Sequence, residues 1–388
     1  MGIIKRSSAT SLAGWIVLLV ALLCAITVTA YAVTRSGAPK PPKRSLASAV
    51  HNALTQRPVT GVSAQFSVDE HLLAGTSTTF STSPLAGATG SVWFGGGHVR
   101  LLVKSQLGTT VVAYDGSRVT LYDRKQHTAY ELPVTHHTAA KSDTADAHAV
   151  PSIAAIERAI TRAGSFAVLS GAIPSNVAGR EAYTVHVSPR RNGGLFGDFE
   201  LAWDAAHAVP LRFAIYPRGS STAAVSITVT HISYGPVAPA KLALTLPAGT
   251  KIVHVHMPSH HMQSEKPHVA PAIGAAAVSK AVGFTVAAPE TLAGLPQGQV
   301  RSVDMGKTPA ALVTYGRGLG TVFVLEQHAS GDKGPLAALP SASIDGMAGR
   351  ELDTTLGSLI QFNRGGITYT VVGSQTAATI MTAAQALA

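Results

Sequence analysis

From Gly61 onward the apolar residues of this chain recur at every second position, and that spacing admits strands and little else. In 62–69, Val62, Ala64, Phe66 and Val68 alternate with Ser63, Gln65, Ser67 and Asp69. Side chains two apart share a face of a strand, so such a segment buries one side and wets the other. Val99, Leu101 and Val103 repeat the pattern against Arg100 and Lys104, and Val225, Ile227 and Val229 repeat it against Ser226, Thr228 and Thr230. Asp115-Gly116-Ser117 is a hairpin turn between strands expected over 109–114 and 118–123. Further strands are expected over 128–132, 182–187, 198–203 and 210–216. The span 151–163 predicts a helix, with Ile153, Ile156 and Ile160 on one face and Gly164 as its stop.

Residues 254–280 break the alternation. They are rich in His, Pro and Ala and read as a linker between two domains. Beyond it, strands are expected over about 283–286, 311–314, 321–327, 356–362 and 367–372, with Arg364-Gly365-Gly366 turning the last two into a hairpin. A helix over 376–387 closes the chain. Gly316-Arg317-Gly318-Leu319-Gly320-Thr321 is glycine-rich, but its sixth position is Thr and a strand follows, so it reads as a turn and not as a dinucleotide fingerprint.

The N-terminal part obeys different rules. Leu12–Val33 contains no Asp, Glu, Lys or Arg. At about 1.5 Å per helical residue it is long enough to cross a hydrocarbon core of about 30 Å. It predicts a transmembrane anchor over 1–35, single-pass, with the bulk of the chain on the extracytoplasmic side. Ala30-Tyr31-Ala32 alternatively suits signal cleavage before Val33. Residues 36–45 form a Pro/Lys-rich tether, stiff and extended, and a short helix is expected over 46–54. Cys24 is the one cysteine, so the exported part forms no disulfide and depends on packing. Of the net +10, Lys5, Arg6, Arg35, Lys40, Lys43 and Arg44 lie in the first 45 residues with no acid among them. The basic excess therefore belongs to the membrane junction, where it can meet anionic headgroups. No Lys/Arg cluster is interleaved with aromatics, which argues against a nucleic-acid partner.

Enzyme signatures are absent: there is no H-E-x-x-H, no G-x-S-x-G and no P-loop. Asp115 and Asp204 read as turn residues. No catalytic residue and no cofactor are expected. His254, His256, His260 and His261 lie close together beside Met257 and Met262, a composition open to metal, but with no Cys and no carboxylate at fixed spacing they read as a solvated linker.

The order of elements carries a resemblance. Gly90-Ser91-Val92-Trp93 precedes Tyr114-Asp115-Gly116-Ser117-Arg118-Val119-Thr120-Leu121-Tyr122-Asp123, and residues 61–132 resemble the first half of a LolA-like lipoprotein-carrier domain. Gly179-Arg180-Glu181-Ala182-Tyr183, Leu201-Ala202-Trp203-Asp204, Val209-Pro210-Leu211-Arg212 and Leu246-Pro247-Ala248-Gly249-Thr250 resemble its second half. Gly318-Leu319-Gly320-Thr321-Val322-Phe323-Val324-Leu325-Glu326 and Thr370-Val371-Val372-Gly373-Ser374 resemble the C-terminal domain of the RseB/MucB regulators of sigma-E. The resemblance implies a mainly β, α+β fold: a curved antiparallel half-barrel with covering helices over 46–253 and a smaller α+β domain over 281–388. It also implies affinity for acyl chains or lipidated peptides, or a sensing role at the membrane. A tethered chain cannot shuttle, which departs from the soluble carriers.

An apolar concave face can hold an acyl chain with no catalytic group, since each buried methylene contributes about 0.8 kcal/mol. Candidate lining residues are Phe66, Val68, Trp93, Leu101, Val103, Leu121 and Trp203; the competing reading makes them ordinary core between sheet and helices. The expected partner is a lipid, lipoprotein or lipidated peptide. The rival is the external segment of an anti-sigma factor.

Overall fold

The computed structural model describes residues 39–73, 85–134, 150–255, 271–304, 309–329 and 335–388. No helix among them is long and apolar enough to cross a membrane. The Leu12–Val33 run, Cys24, and the histidines His256, His260 and His261 lie outside the described residues.

The chain is mainly β, with few helices. In the first domain the strands are β1 (Gly61–Glu70), β2 (Ala88–Gly95), β3 (His98–Ser105), β4 (Gly108–Tyr114), β5 (Arg118–Asp123), β6 (Thr128–Pro133), β7 (Ala167–Leu169), β8 (Ile173–Val177), β9 (Arg180–Pro189), β10 (Phe196–Asp204), β11 (Pro210–Pro217), β12 (Val225–Tyr234) and β13 (Lys251–His254). They join in the order β13-β6-β5-β4-β3-β2-β1-β12-β11-β10-β9-β7, with β8 folded back on β9, and the sheet curls into a half-barrel. Pairing is antiparallel except for β13 on β6. The expected β4–β5 hairpin forms because Asp115 Oδ1 accepts from the backbone N–H groups of Ser117 (2.9 Å) and Arg118 (2.8 Å), while Gly116 takes φ +93°.

Two helices close one end of the inner face. Helix α1 (Leu46–Thr55) starts where Ser45 Oγ accepts from Ser48 N, and α2 (Ile153–Ala163) starts where Ser152 Oγ accepts from Ala155 N. Ala49 of α1 packs with Tyr183, Val185 and Trp203, and α2 rests on α1. After β12 the chain makes a single turn, α3 (Pro239–Leu242), and crosses the outer face. There Leu244 and Leu246 cover Val111, Tyr122 and Ala129 before β13 closes the far edge.

The second domain is one eight-stranded sheet, ordered β14-β15-β16-β17-β21-β20-β19-β18. Its strands are β14 (Thr291–Leu292), β15 (Leu295–Asp304), β16 (Pro309–Tyr315), β17 (Val322–His328), β18 (Ser341–Ile344), β19 (Met347–Thr354), β20 (Gly357–Arg364) and β21 (Ile367–Gly373). Helices α4 (Ala275–Val282) and α5 (Ala377–Gln385) cover one face around Val278, Val282, Val313, Val324, Ile360, Val371 and Ile380.

Two expectations need correction. The expected linker over 254–280 gives way at Ala275 to α4, which runs on to Val282 and sets Val278 and Val282 one turn apart on the buried face. The strand expected over 283–286 is absent, because Gly283 at φ +82° ends that helix in the left-handed conformation.

The glycine-rich turn at 316–321 joins the domains. Gly320 N donates to Asn192 O (2.7 Å), and Leu195 N donates to Ser374 O (3.1 Å). A second contact runs from Thr355 N to Leu72 O (2.8 Å). Gly194 lies at the centre with φ +61°, and a Cβ built there would stand 2.0 Å from Ser374 O. Gly194→Val should therefore separate the domains at a cost of roughly 2 kcal/mol. The expected readout is urea unfolding of the full chain that splits into two transitions. A single unchanged transition would refute it.

Candidate functional site

The pleat of the large sheet sorts its side chains, and the register shows which share the inner face. Val62 pairs with Phe94, Ala64 with Val92, and Phe66 with Gly90, while Val92 faces Leu101 and Phe94 faces Val99. On the other side of β1, a bulge between Gln65 and Phe66 sets Phe66 against Val229 and Ala64 against Ile232. The residue left over is Thr230 of β12, and such an insertion increases the local bend and twist of the sheet. β11 and β10 continue the face with Phe213 against Leu201.

Between the arms lies a cleft of about 330 Å³. β1 lines it with Val62, Ala64 and Phe66, β2 and β3 with Val92, Phe94, Val99 and Leu101, and β11 and β12 with Leu211, Phe213, Ile227 and Val229. Its volume is near the lower end of ligand cavities, which run from about 300 to 1,000 Å³. Arg212 is the one charged residue in its wall, and its guanidinium is occupied: Nε donates to Glu200 Oε1 (2.9 Å) and a terminal nitrogen donates to Thr228 Oγ1 (2.6 Å). Leu201 lines the cleft yet stays 40% exposed, so the hollow reaches solvent and is not packed solid. Such a cavity offers burial of apolar area and no reacting group.

The structure disperses the seven expected lining residues. Phe66 and Leu101 line the cleft. Val68 and Val103 pack beside them in the cluster that includes Ala88. Leu121 faces the same way but sits further along, between Val112 and Tyr130. Trp203 lies under α1, against Ala49 and Tyr183. Trp93 must be corrected: it pairs with Ser63 and Arg100, so it points to the outer face, where Arg100 sits 5.8 Å above its ring. A one-residue shift along a strand reverses the face, and the lining positions are its neighbours Val92 and Phe94. The β12 residues Ile227 and Val229 also belong to the wall; the same alternation marks them as a shared face, but spacing alone does not set that face beside Phe66.

Several ionisable groups elsewhere in this domain pair with one another. His186 Nδ1 lies 2.5 Å from Asp198 Oδ2, and Tyr216 donates to Glu200 Oε2 (2.6 Å). Asp204 accepts from Tyr234 (2.6 Å) and sits 2.9 Å from His207 Nδ1. Burial pushes the Asp204 carboxyl up, but the bonds from His207 and Tyr234 outweigh it and hold the group below the usual carboxylate range. Asp204 is thus a turn residue, as expected, with a buried network added. His254 stands 3.5 Å from Glu131 at the edge strand β13, and no cluster of metal-ligating side chains occurs among the described residues.

No protein-family model matches the chain, and no curated protein matches it. Solved structures with a related outline include MucB in complex with MucA(peri), at 16% identity and TM-score 0.43, covering 87% of this chain and 97% of that one. A Pseudomonas aeruginosa MucA/MucB complex gives 16% and 0.42, covering 87% and 95%. An uncharacterized conserved protein from Thermus thermophilus gives 13% and 0.32, covering 54% and 97%. At such scores no function passes from these proteins to this chain.

Proposed function

We propose that this chain is a membrane-tethered, extracytoplasmic binding protein whose inner cleft takes the hydrocarbon tail of a lipid, a lipoprotein or a lipidated peptide. The observation that carries the reading is the cleft itself: an apolar hollow of about 330 Å³, reaching solvent at Leu201, with its one charged neighbour already satisfied. Burial at about 0.8 kcal/mol per methylene suffices for binding without catalysis, and the cleft volume suits part of one chain better than a whole lipid. The anchor at Leu12–Val33 supplies the membrane tether in this reading.

Native mass spectrometry of the full chain, extracted in mild detergent, should show a co-purifying amphiphile. The delipidated protein should bind a fluorescent fatty acid in competition with it. A clean apo protein that also ignores the fatty acid would overturn the reading.

One observation favours a second reading, a regulator that holds the external segment of an anti-sigma factor. The uncovered face of the small domain's sheet carries Phe323 directly opposite Val372, 42% and 37% exposed, with Leu319 also exposed. Apolar side chains grouped on an open sheet face suit a protein partner. Crosslinking in membranes that joins this face to a single-pass protein would support it, and Phe323→Asp should abolish that crosslink without changing fatty-acid binding.

A further inference from the structure

The outer face of the half-barrel holds a second cleft, polar where the first is apolar, of about 1010 Å³. Its floor is the serine-bearing side of β1, β2 and β12, and its wall is the β8–β9 turn with Arg180 and Glu181. The guanidinium of Arg180 donates to Ile232 O (3.1 Å) and lies 5.1 Å above the Tyr234 ring. Lys241 stands on the rim. Among the described residues neither Arg180 nor Lys241 has a carboxylate within 4.0 Å, and Glu181 is the one acid in the cleft not already bonded. His207, in the same wall, is 2% exposed; Asp204 holds its Nδ1, and its Nε2 has no partner. The cleft therefore carries unspent cationic and hydrogen-bonding capacity that the fold does not consume.

The course of the chain says what meets it. Pro39 lies on the rim. Its carbonyl accepts from Asn176 (3.1 Å), the carbonyl of Pro42 accepts from Tyr183 (2.7 Å), and Pro41 is buried. The tether is thus bound to the β8–β9 hairpin beside the cleft. Residues 34–38 separate Pro39 from the apolar run, and five extended residues reach at most about 18 Å. A domain held that closely, by a point on the rim of this cleft, keeps the cleft within reach of the bilayer. Exposed Lys40, Lys43 and Arg44 enter on the same tether.

We propose that the Arg180–Lys241 cleft docks on the membrane surface and takes the phosphate of an anionic lipid headgroup. This rests on the reading of Leu12–Val33 as a membrane anchor, and it is independent of what the apolar cleft holds. Each Lys or Arg near an anionic surface contributes about fivefold in affinity, and the contact weakens at high salt.

The test is hydrogen exchange on the full chain in nanodiscs, of phosphatidylcholine alone or with phosphatidylglycerol added. With phosphatidylglycerol, amides of the 178–181 turn and the 204–207 turn should exchange several-fold more slowly, and Arg180→Glu with Lys241→Glu should remove that slowing while leaving fatty-acid binding unchanged. Equal protection in phosphatidylcholine alone would overturn the proposal. So would protection by free glycerol phosphate at matched concentration, which would make the cleft a site for a soluble ligand. A chain that enters the discs without protection in either lipid refutes the docking and spares the anchor; a chain that fails to enter them refutes both.

Discussion

Val229→Trp should lower the affinity of the full chain for a fatty acid by on the order of a hundredfold while leaving it folded. Val229 lies in the middle of β12, half-buried, opposite Phe66, with its side chain in the wall of the apolar cleft. An indole there occupies space that a tail would fill. Displacing about four methylenes from contact removes roughly 3 kcal/mol, which is the stated factor. The hollow already exists, so the larger side chain fills volume instead of forcing the core apart, and the stability cost stays small. Thr230→Trp is the matched control, because Thr230 is exposed and does not line the cleft. Titration of a fluorescent fatty acid measures both variants. Equal loss in both, or no loss in either, places the tail elsewhere and removes the basis of the proposed function.

What the alternation reveals and what it hides have separate physical causes. Local signals translate directly. The Asp115 turn is built by bonds that span three residues, and the strands on either side of it run as their spacing predicts. Strands with two half-wet faces leave no such mark. β19, Met347–Thr354, is partly buried along nearly its whole length, so no two-residue period distinguishes it, and β15 contains Pro296 and Gly298. Helix α4 is hidden by composition: its alanines resemble the linker around it, although Val278 and Val282 carry helical spacing. The candidate site is half legible. Alternation identifies which residues share a face, which brings in Phe66 and Leu101. It does not say that β12 carries an extra residue, Thr230, opposite the Gln65–Phe66 step, and it gives Trp93 a place on the wrong face. The parallel pairing of β13 with β6 depends on a crossing over the outer face that no local pattern encodes.

The small domain carries a penalty that should appear as a pH dependence of its stability. On β17, Val322 and Val324 face the core, and the next residue on that face is Glu326, fully buried. Its Oε2 accepts from Ala287 N (3.0 Å), while Oε1 has no partner, and neither does the hydroxyl of Tyr315 in the same core. Burial pushes the carboxyl up to about 7 from 4.5, against the smaller pull of the Ala287 N–H. In the unfolded chain the group ionises near its ordinary value, so between about pH 4.5 and 7 the native state binds the proton that the unfolded state has released. Stability is therefore full below about pH 4.5, falls through that window and levels off above about pH 7, by about 3 kcal/mol in all. Glu326→Gln keeps an acceptor for Ala287 and cannot ionise. The variant should unfold in urea with a midpoint nearly flat from pH 5 to 8, matching the wild type at the acid end and exceeding it at pH 8. Parallel pH profiles for the two proteins would mean that the carboxylate is solvated or paired in the native state, and that the core of this domain tolerates a charge at position 326 without cost.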